Sequence, residues 1–307
     1  MNLETYQQLN AKFKLRCVYH LGIRSGFFSE YNNMIWAMLY CLRCDFAFQL
    51  ATRDANFGYK RGWQDYFEPF CTEQQSFFHH RWLHPRFPKS GVKFAIQEYA
   101  GNIIKQLEKV DALTYEIWNG MRQQDTGVIE IHATGSHASF RELSAELVAM
   151  TWRFNPETQA ILDTRRTALK LPARYVGVHI RGGDKSKESD LHDVDAYVEK
   201  IRAVSDVRNL FVMSDDYRNV ERLRERHPEF RVYTLTPETA GGYRHRASAR
   251  RCKCARREHH LELFSSIEIM RRAEAVVCTF SSNIGIFLGM AMPPGRCHAL
   301  DGDWHLW

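Results

Sequence analysis

Tyr175 to Lys185 reads YVGVHIRGGDK, and this stretch sets the fold. Its first six residues form an apolar run too short for a helix and bounded by turn residues, which predicts a buried strand over Tyr175–Ile180. The same rhythm continues to the C-terminus. Val194–Val204 reads as a helix, Leu210–Met213 (LFVM) as a strand, Val220–Arg226 as a helix and Phe230–Leu235 as a strand. Leu261–Arg272 follows as a helix with Leu263, Phe264, Ile267 and Met270 on one face, then Ala275–Phe280 as a strand and Ile284–Met290 as a helix. Strands alternating with amphipathic helices predict a parallel, doubly wound, Rossmann-type sheet.

Upstream the pattern is mixed and rich in aromatic residues. In SEYNNMIWAMLYCLRCD, Ile35, Met38, Leu39 and Leu42 follow helical spacing, with Ser29 as the expected N-cap, and FAFQLA after it reads as a strand. Phe67–Pro88 shows no clean period and is read as loop-rich, while Ile96–Leu113 and Phe140–Leu171 read as helical. Pro172 marks a break, and the domain boundary is placed between 155 and 173, giving domains 1–165 and 166–307. Trp36, Trp63 and most phenylalanines are assigned to the core. His79, His80 and His84 fit either an acceptor cleft or a solvent-facing loop.

The chain has 307 residues, 44% hydrophobic and 25% charged, which fits a globular protein. No run approaches the roughly 18 to 20 apolar residues of a membrane span, and the opening residues lack the apolar core of a signal peptide. A soluble, cytoplasmic protein is expected, with peripheral membrane contact and oligomeric state left open. The eight cysteines show no dense spacing and are expected to be reduced. The formal charge of +6 is local: seven Lys or Arg residues and no acid lie between Arg244 and Arg257, and taking these from the total of 42 leaves 35 against 36 acids. A nucleic-acid partner, which needs a basic face continuing beyond one loop, is therefore not expected. Cys252, Cys254, His259 and His260 form a candidate zinc set, but the C-x-C spacing and the basic neighbours argue against a metal.

Ligands of open α/β sheets bind beyond the carboxyl ends of the strands, so the residues following each strand carry the functional reading. After the first strand come Arg181, which offers a planar fork to a phosphate, and Gly182-Gly183, which permit close backbone approach. A departing nucleoside diphosphate gathers negative charge and needs such a cation. After LFVM come Ser214, Asp215 and Asp216, suited either to capping the next helix or to hydrogen bonding a sugar, a base or a neighbouring cation. After AVVCTF come Ser281 and Ser282 at a helix start, an anion site that requires no metal. There is neither a GxGxxG after the first strand nor a Walker GxxxxGK[ST], which counts against a dinucleotide enzyme and a P-loop NTPase.

Through the blocks VGVHIRGGDK, LFVMSDD and VVCTFSSN, in this order and spacing, the sequence resembles the α1,6-fucosyltransferase family. A weaker likeness covers the first part, around SEYNNMIWAMLY and Gly62–Pro69. The resemblance implies a GT-B-like architecture of two α/β domains, an acceptor-side one and a donor-binding one. It implies an inverting, metal-independent transfer of fucose from GDP-fucose to a glycan hydroxyl, with no cofactor beyond the donor substrate. Carried over by position, Arg181 matches the arginine on the GDP β-phosphate, with His179, Gly183, Asp184 and Lys185 around it. Asp215 and Asp216 match an acidic pair of the donor site, and Ser282, beside Ser281, matches a serine near the phosphate. Glu188 matches the general base, helped by Lys185, with a one-residue deletion between the two; Asp184 and Asp190 are its alternatives. The second arginine of the family's His-x-Arg-Arg stretch is Gly182 here. The guanine-binding aspartate falls on Ser266, with Glu268 and Glu262 as substitutes. Alternatives are another nucleotide sugar as donor, or a nucleic-acid or acidic-glycan binding protein acting through 244–257.

Overall fold

The computed structural model describes residues 1–22, 25–75, 91–124, 127–131, 134–182, 192–241 and 252–306. The chain divides into two compact units, Met1–Asn155 and Pro156–Trp307.

In the first unit, α1 (Leu3–Lys12) leads into β1 (Leu15–His20), α2 (Phe27–Arg43), β2 (Phe46–Ala51), α3 (Val92–Glu108), β3 (Ala112–Leu113) and α4 (Thr114–Gln123). The three strands are parallel in the order β2-β1-β3. An antiparallel hairpin, β4 (Val128–Ile131) with β5 (Ser136–Ser139), precedes α5 (Phe140–Thr151). Helix α2 buries most of its circumference, as expected of a helix apolar on nearly all sides. It begins before Ser29: Gly26 is the N-cap, and its carbonyl already accepts the Glu30 N–H at 3.2 Å. The buried Glu30 carboxylate accepts N–H groups of Gly22 and Ser25, tying the glycine-rich lead-in to the first turn.

The Gly62–Asp65 block is a structural device. The buried Asp65 carboxylate accepts four successive backbone N–H groups, those of Tyr59, Lys60, Arg61 and Gly62, at 2.6 to 3.2 Å. These bonds satisfy a charge that would otherwise be costly to bury. Trp63 beside it is fully buried and stacks on Phe67 at 4.3 Å between centroids. Trp36 is likewise buried, as assigned from the sequence.

The predicted helix 96–113 ends earlier, at Glu108. Lys109 takes a left-handed conformation (φ 53°), after which Ala112–Leu113 pairs with β1 as a strand. Among the described residues of α3, Val92, Ile96, Tyr99, Ile103 and Leu107 are exposed. The helical stretch 140–171 is two helices, because Pro156 can open a helix but not continue one.

The second unit runs α6 (Pro156–Ala168), β6 (Val176–Ile180), α7 (Val194–Val204), β7 (Asn209–Ser214), α8 (Arg218–Arg226), β8 (Arg231–Tyr233), α9 (Lys253–Arg272), β9 (Ala275–Cys278), α10 (Asn283–Ala291) and β10 (Cys297–Ala299). Helix α6, divided from this unit by a cut at 165, packs on α9 through Arg165–Glu258 and Arg257–Glu157 ion pairs. The five strands are all parallel in the order β10-β9-β6-β7-β8. The chain enters at the central strand β6, moves outward to β8, returns along α9 to the other side of β6 and continues to β10. This is the α/β, doubly wound arrangement read from the sequence, and its strand order reverses between β6 and β9. Every residue of β6 is buried, and Val176, Val178 and Ile180 pack with Val198, Ile201, Leu210, Val212 and Val220. Burial of each such side chain is worth about 1.5–3 kcal/mol. No helix among the described residues is long and apolar enough to cross a membrane. All eight cysteines are free thiols.

Candidate functional site

A crevice opens at the carboxyl ends of strands where the strand order reverses. In the second unit this place lies between β6 and β9, and the residues leaving both strands converge on it.

Arg181 leaves β6 with its side chain 21% exposed and donates from Nη1 to Asp215 Oδ2 at 2.9 Å. Asp215 Oδ1 accepts the Gly182 N–H at 2.7 Å. One carboxylate at the end of β7 thus holds both the cation and the turn that presents it. That turn lies tight against β7: a Cβ on Gly182 would stand 3.0 Å from Asp216 Cβ and 3.2 Å from Asp215 Oδ1. This is a physical reason for glycine where the resembled family has its second arginine.

Asp216 turns the other way. It accepts the Arg218 N–H at 3.1 Å and the Arg218 guanidinium at 2.9 Å, opening α8. These bonds, chiefly that of the guanidinium, hold its carboxyl below the usual range. The two adjacent acids therefore divide the roles left open by the sequence: Asp215 orients a cation, and Asp216 starts a helix.

His179, the penultimate residue of β6, is buried, and burial together with the Arg181 charge pushes its pKa down to about 3. It is a neutral imidazole at physiological pH. Its Nδ1 stands 3.5 Å from Ser282 Oγ across the reversal point. Ser282 is the N-cap of α10: its hydroxyl accepts the Gly285 N–H at 3.0 Å and donates to the Thr279 carbonyl at 2.9 Å. The start of α10, with its partial positive charge, thus stands just past the carboxyl end of β9.

Two further residues, not singled out from the sequence, complete the frame. The buried Tyr197 of α7 lies near the Arg181 backbone and the Thr279 side chain, beside the ends of β6 and β9; burial raises its pKa. Asp301, just past β10, accepts the backbone N–H groups of Phe280 at 2.7 Å and Ser281 at 2.9 Å. Partial burial pushes the Asp301 carboxyl up, but bonds from the Ser281 side chain and these N–H groups more than offset it, leaving the pKa lowered.

Glu268 is not brought to this cluster. It lies near the end of α9, which leads into the amino end of β9, and it pairs with Arg271 at 2.6 Å. Ser266 on the same helix is buried. Gly183, Asp184, Lys185, Glu188 and Asp190 lie outside the described residues, as do His79, His80, His84 and 242–251. Of the basic segment, Arg257 is bound to Glu157, and Cys252 caps α9 by accepting the Ala255 N–H. Among the described residues no group of three or more His, Cys, Asp or Glu side chains could hold a metal ion.

Comparison with known proteins bears on the fold and the family. No curated protein matches the chain by sequence. Among solved structures, NodZ alpha-1,6-fucosyltransferase soaked with GDP-fucose superposes with a TM-score of 0.54 at 15% identity, over 91% of this chain and 94% of that one. A mutant of Arabidopsis thaliana FUT1 in complex with GDP gives 0.53 at 12% identity, over 96% and 79%. Apo POFUT1 gives 0.51 at 12% identity, over 92% and 97%. These likenesses bear out the GT-B-like fold class. The family model for alpha-(1,6)-fucosyltransferase N- and catalytic domains matches residues 31–287, well over half of the sequence. The chain belongs to the alpha-(1,6)-fucosyltransferase family.

Proposed function

We propose that the protein transfers fucose from GDP-fucose to a glycan hydroxyl, with inversion and without a metal ion. The observation that carries this reading is the meeting of Arg181, pre-oriented by Asp215, with the Ser282-capped start of α10 at the reversal of strand order. A diphosphate placed there receives a guanidinium from one strand end and helix N–H groups from the other, so its charge is met by protein donors alone. The relatives solved with GDP-fucose and with GDP support the choice of donor.

In this mechanism Glu188, with Lys185 beside it, takes the proton of the acceptor hydroxyl. The freed oxygen attacks C1 of fucose as the C1–O bond to the β-phosphate breaks. GDP leaves with the bonding electron pair, and Arg181 stabilises the growing charge. The neutral His179 adds no competing proton. The second unit acts as the donor domain and the first as the acceptor side. A cytoplasmic location accords with eight free cysteines.

The test is incubation with GDP-fucose and a panel of chitooligosaccharide, lipopolysaccharide-type and N-glycan acceptors in EDTA, with the product anomer read by NMR. The expected result is a fucoside of anomeric configuration opposite to the donor's, formed at the same rate with and without EDTA. A retained configuration or strict manganese dependence would contradict the mechanism.

A further inference from the structure

We infer that Asp301 is a positioning residue for the donor site, shaping the Thr279–Ser282 turn that aims α10 at the nucleotide. This rests on the proposed function. The turn follows directly from β9, yet its peptide groups gain partners from beyond β10. Leu300 N–H extends the β9–β10 ladder by donating to the Cys278 carbonyl at 3.0 Å. Asp301 then reaches over the strand end to the N–H groups of Phe280 and Ser281. Past it the chain folds back on α10. The Trp304 indole donates to the Ile286 carbonyl at 2.9 Å, and its ring occupies the place where a Cβ on Gly289 would lie only 2.1 Å away. Leu306 is buried. The segment from Leu300 to Leu306 therefore grips the turn at one end and the helix at the other.

The consequence is a division of donors. The Phe280 and Ser281 amides are bonded to Asp301, so an arriving phosphate does not draw on them. What it meets is the start of α10, whose direction depends on Ser282 holding both Thr279 and Gly285. Charge-assisted bonds to backbone N–H groups are among the stronger hydrogen bonds, and this one fixes the two residues immediately before the N-cap. Simple electrostatics gives the opposite expectation: a carboxylate near a diphosphate should repel it, and its neutralisation should tighten binding.

The deciding experiment titrates GDP into wild-type protein, Asp301→Asn and Trp304→Phe by calorimetry, alongside thermal melts and amide hydrogen exchange of residues 279–285. Expected for Asp301→Asn is a GDP Kd raised about tenfold and KM for GDP-fucose raised in step. kcat should stay within about threefold, and the melting temperature should hold within a few degrees. Exchange should quicken at Phe280 and Ser281 while β6 stays protected. Trp304→Phe, which drops the indole N–H bond and leaves a smaller ring against α10, should raise Kd two- to threefold, and it decides the matter if Asp301→Asn does not fold. Unchanged or tighter GDP binding in the variants, or a lowered melting temperature with wild-type Kd, would overturn the inference. Wild-type protein that binds no GDP would instead overturn the proposed function.

Discussion

Arg181→Ala should impair the reaction through two effects of known sign. The first is loss of a charge-assisted contact to the leaving group, about 3 kcal/mol in the transition state, or roughly a hundredfold in rate. The second comes from the partner left behind. Asp215, 18% exposed, keeps the Gly182 N–H but loses the guanidinium 2.9 Å away. Its charge then faces the diphosphate, and for two unit charges taken as about 7 Å apart at an effective dielectric constant of about 20 the repulsion is of order 2 kcal/mol. Adding Asp215→Asn to Arg181→Ala should therefore recover about tenfold, whereas Asp215→Asn alone should cost several-fold by releasing the arginine from its geometry. The assay is single-turnover release of GDP from GDP-fucose together with GDP titration, with melting temperatures recorded for all four proteins. Near wild-type turnover and GDP affinity in Arg181→Ala would refute the placement of the phosphate. A double variant no better than Arg181→Ala would show that Asp215 does not face the donor.

Glu188→Gln is expected to lose about 10² to 10⁴ in turnover with GDP affinity intact, as for removal of a general base; normal turnover there, with loss in Asp184→Asn or Asp190→Asn, would move the base to that residue. Gly285→Ala would place a Cβ 1.9 Å from the Thr279 carbonyl oxygen, so the turn must shift; a stability loss of about 1–3 kcal/mol in urea titration and weakened GDP binding are expected. The depressed pKa of His179 makes stability depend on pH. Its folded value of about 3 lies below the unfolded value of about 6.5, so below pH 6.5 the unfolded state binds more protons and stability falls with falling pH until about 3. Between pH 6 and 5 the wild type should lose up to about 1.4 kcal/mol more than His179→Gln; parallel profiles would show that the imidazole is not held neutral.

The second unit was legible because its strands are short and apolar and its helices amphipathic, and because chain order dictates which strand ends meet. Once β6 is central, Arg181, Asp215 and Ser282 must converge. The division of labour between Asp215 and Asp216 was not legible, since both residues suit either role and only the direction of each side chain separates them. Asp301 follows a three-residue strand, Cys297–Ala299, too short to show a period. Tyr197 reads as one more apolar position on α7, and only its nearness to the ends of β6 and β9 gives it a place at the site. In the first unit the break at Trp152–Asn155 was hidden because the helices on both sides carry helical spacing. The start of α2 was misplaced because Ser29 looks like a cap, whereas buried Phe27 and Phe28 already belong to the helix.

The central claim, a guanosine diphosphate donor held by protein groups at the β6–β9 reversal, is tested most directly by calorimetric titration with GDP, UDP and GDP-fucose in EDTA. The expected result is one site per chain for GDP and GDP-fucose at micromolar Kd or tighter, UDP at least tenfold weaker, and both affinities reduced about a hundredfold in Arg181→Ala. Absence of GDP binding, dependence on a divalent ion, or an Arg181→Ala variant that binds as the wild type does would contradict it.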